Sequence, residues 1–271
     1  LVDSLRTFGG DLAEAPVWIF MENPDQQEGS DHGLTRQFRL KVPPDVGAYP
    51  FGRTVAACAQ AEEMASSQTN SLVWIDPSCL IIQPPELFEL GSAFDAAFRP
   101  VHIRNIGLSP NDELDDFWRS IYHSLGLGHL PFTVTSFVDN QCLRPYFNSH
   151  AFSINPALGI MRLWHGNFQQ LISDHSFQSA ACQDDLHKIF LFQAILSTLV
   201  ASRIDPARLR ILPSSYNYPY NLQARVPDER RARTLNELVC LTYEERDLRP
   251  DMVSDIQILE PLSSWLTEHV Q

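Results

Sequence analysis

The stretch SLVWIDPSCLIIQPP, residues 71–85, decides how the rest of the chain is read. An apolar run, Leu72 to Ile75, ends on one carboxylate, Asp76, and Pro77 turns the chain into a second apolar run that closes on Pro84 and Pro85. A short run that is apolar on both faces and bounded by turn residues predicts a central strand of a parallel sheet. Ligands of such sheets gather at the carboxyl ends of the strands, which is where Asp76 falls. Two acids spaced i and i+2 there would point to one side and chelate a divalent cation. The second position is Ser78, so half of that chelate is missing. In the plainer reading, Asp76 caps the turn that Pro77 bends.

Outward from this strand, periodicity predicts alternating elements. LVDSLRTFGG reads as a helix stopped at Gly9 and Gly10, already under way at the first residue, which leaves room for an upstream strand. Strands follow at Val17 to Met21 and in LTRQFRLKVPP, then a helix in RTVAACAQAEEMASSQ and a short one in PPELFELG. Beyond these come a strand in FDAAFRPVHI, an acid-led helix in NDELDDFWRSIYHSLGLG, and strands in PFTVTSFV and HAFSINPALGIM. FQQLISDHSFQ and the strongly apolar DDLHKIFLFQAILSTLVASR read as helices, and LRILPSSYNYPYNL as a strand entering a loop. Strands alternating with helices indicate a three-layer α/β/α sandwich around a mostly parallel, mixed sheet, with one domain and no repeat.

The chain has 271 residues and a formal net charge of −13. So acidic a chain lacks the basic face a nucleic-acid binder uses to displace counterions. A polyanionic ligand would need a locally positive pocket or a cation. Five cysteines without a CxxC pair point to reduced thiols and away from zinc. No apolar run reaches bilayer length, so a cytoplasmic location, at most peripheral to a membrane, is expected. GxxxxGK, GxSxG and HExxH are all absent.

Four segments carry a family resemblance. VWIDPSCLIIQPPELFEL resembles the hhWhDxDhhhhxxPxELF segment (h apolar) of GT-A-fold glycosyltransferases, through Trp74, Ile75, Asp76, Leu80 to Ile82, Pro85, Leu87 and Phe88. The second acid of that DxD motif is the departure. YFNSHAFSINP, Tyr146 to Pro156, is similar to the family's YFNSGhhhhNP strand, with His150 in place of the glycine. CQDDLHKIFLFQAIL is similar to its xDQxhhNxhh helix, and RILPSSYNYPYN to its hxhLPxxYNxxxx segment. All four occur in the family's order, from roughly Ser4 to Asn221.

The resemblance implies a GT-A-like catalytic domain over residues 1–225, with 226–271 as a helical extension packed on it. It implies transfer of a sugar, of the hexosyl type, from a nucleotide-diphosphate sugar to a carbohydrate or other hydroxyl acceptor. Asp76 would approach the diphosphate or ribose directly or through Mn or Mg, with Ser78 beside it as a hydrogen-bonding group and a poor metal ligand. Asn148 and Ser149 would bond sugar hydroxyls, with His150 in the same cleft. By composition, the YNYPYN loop with Tyr216 and Asn217 suits stacking on a sugar or base ring and bonding its hydroxyls, or, more plainly, is a proline-ordered loop that covers the sheet edge. Asp184 and Asp185 would face the acceptor, one as general base, although Asp is equally favoured there as a helix cap, Asp184 above all.

Further candidates carry plainer alternatives. His165 could reach phosphate from the cleft rim, but a lone histidine beside a tryptophan is more often an uninvolved residue. Arg6 and Arg53 could pair with phosphate, or with surface acids of this acidic chain. The missing acid and His150 also support a second class of function, a degenerate GT-A-like binding or scaffold protein without transferase activity.

Overall fold

The computed structural model describes residues 1–23, 33–128, 130 and 132–270. Pro131, which opens the expected strand PFTVTSFV, lies outside them. Helix α1 (Val2–Phe8) stops at Gly9 and Gly10, and the φ of +57° at Gly10 suits a residue without a Cβ. Strands β1 (Val17–Met21) and β2 (Thr35–Arg39) pair in parallel. Pro44 opens the short α2 (Pro44–Ala48), and α3 (Gly52–Ala65) follows. Then come β3 (Leu72–Ile75), β4 (Cys79–Ile81), β5 (Ala96–Phe98) and α4 (Asp116–Ser124), which Asp115 caps by accepting from the Trp118 amide at 2.8 Å. β6 (Val134–Thr135) and β7 (Cys142–Leu143) form a hairpin ahead of β8 (Ala151–Ile154). Helices α5 (Ile160–Ser173), α6 (His175–Ala181) and α7 (Asp185–Arg203) lead to β9 (Leu209–Ile211), β10 (Tyr218–Pro219), β11 (Cys240–Thr242) and α8 (Leu262–His269).

The central sheet has the order β3-β8-β5-β9. It is mixed, because β8 runs antiparallel to both β3 and β5 while β5 and β9 are parallel. Alternation splits its side chains between two layers. Ala96, Phe98, Phe152 and Ile154 join α3, α4, α5 and α7 in the main core, where Phe98 and Phe152 stack with ring centroids 4.7 Å apart. Ala97 and Ala151 face the other way, onto Ile81, Phe88, Leu212, Tyr216 and the Leu1 and Leu5 side of α1. On that face a second small sheet, β10-β11-β4, does part of the covering. No helix among the described residues is long and apolar enough to cross a membrane.

Three expectations are corrected. β3 hydrogen-bonds to β8 alone among the described strands and leaves Val73 exposed, so it is a sheet edge and not a central strand. The strand HAFSINPALGIM ends at Ile154, because Asn155 caps a 3-10 turn from Pro156 and Gly159, at φ +70°, starts α5 at Ile160. The segment 226–271 is not a helical extension. Its β11 pairs on one side with β10 and on the other with β4, and its only α-helix among the described residues is α8, so it belongs to the same fold.

Buried Glu62 of α3 fixes α5. Its carboxylate accepts from the amides of Met161 and Arg162 at 2.9 and 3.0 Å and from the Arg162 guanidinium at 3.1 Å, meeting donors that the first turn of a helix leaves free.

Candidate functional site

The register places the ends of four strands together. Ile75 pairs with Ala151 and Phe98 with Ile211. The carboxyl ends of β3, β5 and β9 therefore share one edge with the amino end of antiparallel β8. Asp76, Arg99, the Leu212–Asn217 loop and the Asn148–His150 turn all leave from that edge.

Asp76 is partly exposed, and its amide donates to the His150 carbonyl at 2.7 Å. Its Oδ1 accepts from the Ser78 amide at 2.9 Å and from the Ser78 hydroxyl at 2.6 Å. The turn-capping reading is thus realised, and Ser78 spends its hydroxyl on that carboxylate. Asn148 is buried and stands at the centre. Its Oδ1 accepts from the His150 amide at 2.8 Å and from the Asn217 side chain at 2.5 Å, and it lies 3.0 Å from His150 Nδ1. With Nδ1 as donor, Nε2 faces Glu244 Oε1 at 3.5 Å. That contact holds the Glu244 carboxyl below its ordinary range, against an opposing push from burial. Glu244 Oε2 accepts from Asn221 at 2.7 Å.

Asn217, fully buried at φ +48°, joins the two sheets. Its amide donates to Cys240 Sγ at 3.0 Å and its Oδ1 accepts from the Thr242 hydroxyl. Ser149 is buried and donates to Gln193 Oε1 of α7 at 3.0 Å, so its hydroxyl is already committed. Tyr216 departs from expectation. Its ring is 3% exposed and set edge-on to Phe88, and its hydroxyl accepts from the Leu87 amide at 2.9 Å. It is a core residue, as are Tyr218 and Tyr220, because the loop's aromatic rings are drawn under the small sheet.

Asp184 and Asp185 begin α7, about two turns before Gln193. Asp184 is the N-cap. It accepts from the His187 amide at 2.9 Å and contacts His187 Nδ1 at 2.7 Å, which keeps its carboxyl below the ordinary range. Asp185 is exposed and its carboxylate has no hydrogen bond among the described residues. Arg6 donates to the carbonyls of Ala13, Ala15 and Leu34, and Arg53 forms an exposed pair with Glu22 at 2.6 Å, so both are structural. His165 lies within α5, near Asp45, and burial lowers its affinity for a proton.

Sequence reading missed four residues of this edge: Arg99, His102, Thr242 and Glu244. Arg99 and His102 follow the β5 run in FRPVHI, and a basic residue directly after an apolar strand was the available signal. Thr242 and Glu244 arrive from residues read as a separate extension, and nothing local marks them. Arg99 is 2% exposed, accepts from the Asn148 amide at 2.8 Å, and donates through Nη1 to the Tyr216 and Asn217 carbonyls.

A divalent cation does not fit these residues. One carboxylate, with one oxygen already taken, faces a serine where a second ligand is needed. No group of three His, Cys, Asp or Glu side chains among the described residues is placed to hold a metal ion.

No protein-family model matches the chain, and no curated protein matches it by sequence. Among solved structures, it is similar to an active-site mutant of LgtC, with a TM-score of 0.50 and 12% identity over 90% of this chain and 81% of that one. A galactosyltransferase LgtC structure in complex with donor and acceptor sugar analogues gives a TM-score of 0.49 and 12% identity, over 89% and 80%. The chain has a GT-A-type glycosyltransferase fold.

Proposed function

We propose that this GT-A-fold chain binds a nucleotide-diphosphate sugar at the edge formed by Asp76, Asn148 and His150, and transfers the sugar to an acceptor hydroxyl. One observation carries the reading. The Asp76 amide bond to the His150 carbonyl puts a partly exposed strand-end carboxylate and the Asn148–His150 turn at the same end of the sheet. Had the carboxylate been sealed in the core, or the turn been at the other end of the strands, the two could not meet one ligand.

In this reading the chain works without a divalent cation. His150 exchanges its 3.5 Å contact with Glu244 for a hydrogen bond from Nε2 to the departing diphosphate, and stabilising a leaving group in this way is worth most where water is excluded. The free oxygen of Asp76 accepts from ribose or sugar hydroxyls, and Asn148 orients His150. Since Asp184 is held as a cap, Asp185 is the acid assigned to the acceptor proton. The acceptor hydroxyl must be held in line with the anomeric carbon, which is the main work of a rigid site.

The test is calorimetry with uridine diphosphate and its sugars, with and without Mn²⁺, alongside an assay for nucleoside diphosphate release. Binding that needs no Mn²⁺ and is lost in His150→Ala supports the site. Turnover abolished in Asp76→Asn, with the fold retained, supports the enzyme. A second reading, a binding protein of the same fold, is favoured by the Ser78 and Asp184 side chains, both of which are committed to structural hydrogen bonds. Tight nucleotide-sugar binding without release of nucleoside diphosphate would select it. No response to any nucleotide would defeat both.

A further inference from the structure

Arg99 raises a question that the nucleotide reading does not answer. Its guanidinium is buried, stacks 4.4 Å from the Phe137 ring, and has no carboxylate within salt-bridge reach among the described residues. The chain carries 33 acids against 20 lysines and arginines, yet none of the described ones is set against this cation. Buried charges are normally paired because desolvation is costly. Nη1 is satisfied by two carbonyls, but Nη2 has no partner among the described residues. Three residues on, His102 is also buried, and neither ring nitrogen has a partner among them. Burial and the nearby Arg99 charge keep that imidazole neutral, so it presents one N–H donor and one acceptor.

Arg99 lines a cavity of about 640 Å³ with Phe137, Leu212, Ser214, Ser215 and Arg230, and the lining includes none of Asp76, Asn148 or His150. Arg231, Glu229 and Glu237 also line it, but Arg231 is paired with Asp228 at 3.1 Å, and Arg230 donates to the Phe137 carbonyl at 3.0 Å and to Asn140 at 2.7 Å, which leaves Arg99 as the cation of the lining without an acidic or side-chain partner among the described residues. Glu237 accepts from the Arg233 amide at 3.2 Å. The Ser214 and Ser215 hydroxyls have no hydrogen bond among the described residues.

We infer that this cavity is a second ligand site, built for a compact oxyanion, a phosphate or carboxylate group, that takes Arg99 as its main partner. A guanidinium edge matches the spacing of two oxygens on either group. Nη2 is covered, so the incoming group displaces wall side chains, the Phe137 ring first. Ser214 lies at the exposed side of the cavity and Arg230 adds positive charge. The site goes beyond the nucleotide reading and does not rest on it.

The experiment is calorimetric titration of the full chain with inorganic phosphate and, separately, with acetate, the two arms distinguishing the sources of the oxyanion. The wild type should bind at least one of them saturably, at least tenfold more weakly in Arg99→Gln and in Ser214→Glu, and unchanged with saturating uridine diphosphate present. If Arg99→Gln does not fold, Ser214→Glu, a change at an exposed side chain, decides alone. No saturable binding of either anion overturns the inference, as does insensitivity to Ser214→Glu. Displacement of the anion by saturating uridine diphosphate overturns it too, by placing the anion at the first site. Nucleotide binding without anion binding, or the reverse, keeps the two readings separable.

Discussion

The Asp76 amide and the His150 carbonyl, 2.7 Å apart, continue the β3–β8 ladder one step beyond the Ile75–Ala151 pair. Both residues have left their strands, yet the hydrogen bond keeps them in register. Because Asn148 holds the His150 amide and ring, and Asn217 holds Asn148, the edge behaves as one hydrogen-bonded unit. A change at any of these residues should therefore be felt by the others.

Replacing Ser78 with aspartate removes a 2.6 Å hydrogen bond to Asp76 and adds the second acid of a chelate. The expected outcome is Mn²⁺ affinity that the wild type lacks, read by calorimetry. A folded Ser78→Asp protein that is still indifferent to Mn²⁺ would show that the turn after β3 is not shaped to chelate.

The Glu244 carboxyl titrates below its ordinary 4.5 in the folded chain, first through its bond to His150. A depressed folded value means that the contribution to stability is full above the unfolded pKa and is lost as pH falls through the folded one. Urea denaturation from about pH 6 down to about pH 3 should show a shallower acid-side loss in Glu244→Gln than in wild type. Parallel curves would sink this assignment.

Glu62→Ala should be the costliest of the polar changes. It leaves the Met161 and Arg162 amides and the Arg162 guanidinium without their acceptor, and a destabilisation of about 3 kcal/mol is expected. Chemical denaturation measures it. A loss under about 1 kcal/mol would mean that water replaces the carboxylate at the start of α5.

Asp184→Ala and Asp185→Ala should separate by readout. Loss of the Asp184 cap is expected to cost about 1 kcal/mol of stability. Asp185→Ala should leave stability nearly unchanged and, on the proposed function, lower turnover while nucleotide affinity holds. Equal turnover in Asp185→Ala and wild type would remove it from the mechanism.

Much of the architecture was legible locally. The Gly9–Gly10 stop, the apolar run from Leu191 to Ala201 and the Asp76–Ser78 turn need only neighbours in sequence, and each was found. The last turns of α5, Phe168 to Ser173, were read as helix, but its start at Ile160 was missed because its first turn is capped by Glu62, a residue far off in sequence, and because Gly159 and Gly166 disguised its periodicity. The burial of Tyr216 was missed for a similar reason. Its ring is paired with Phe88 and its hydroxyl with the Leu87 amide, and composition alone cannot tell a buried aromatic loop from one that meets a ligand.

By itself the amino-acid order determined where most strands and helices lie, that one acid ends β3 with no second acid beside it, and the GT-A order of motifs. Those features depend on side-chain periodicity and on residues a few positions apart. Which groups stand around that acid was decided only by the tertiary structure. Antiparallel β8 carries the Asn148–His150 turn to the carboxyl end of β3, and β11, inserted between β10 and β4, delivers Thr242 and Glu244. Strand order and direction are set by the burial of both sheet faces at once, and no local stretch of sequence encodes that.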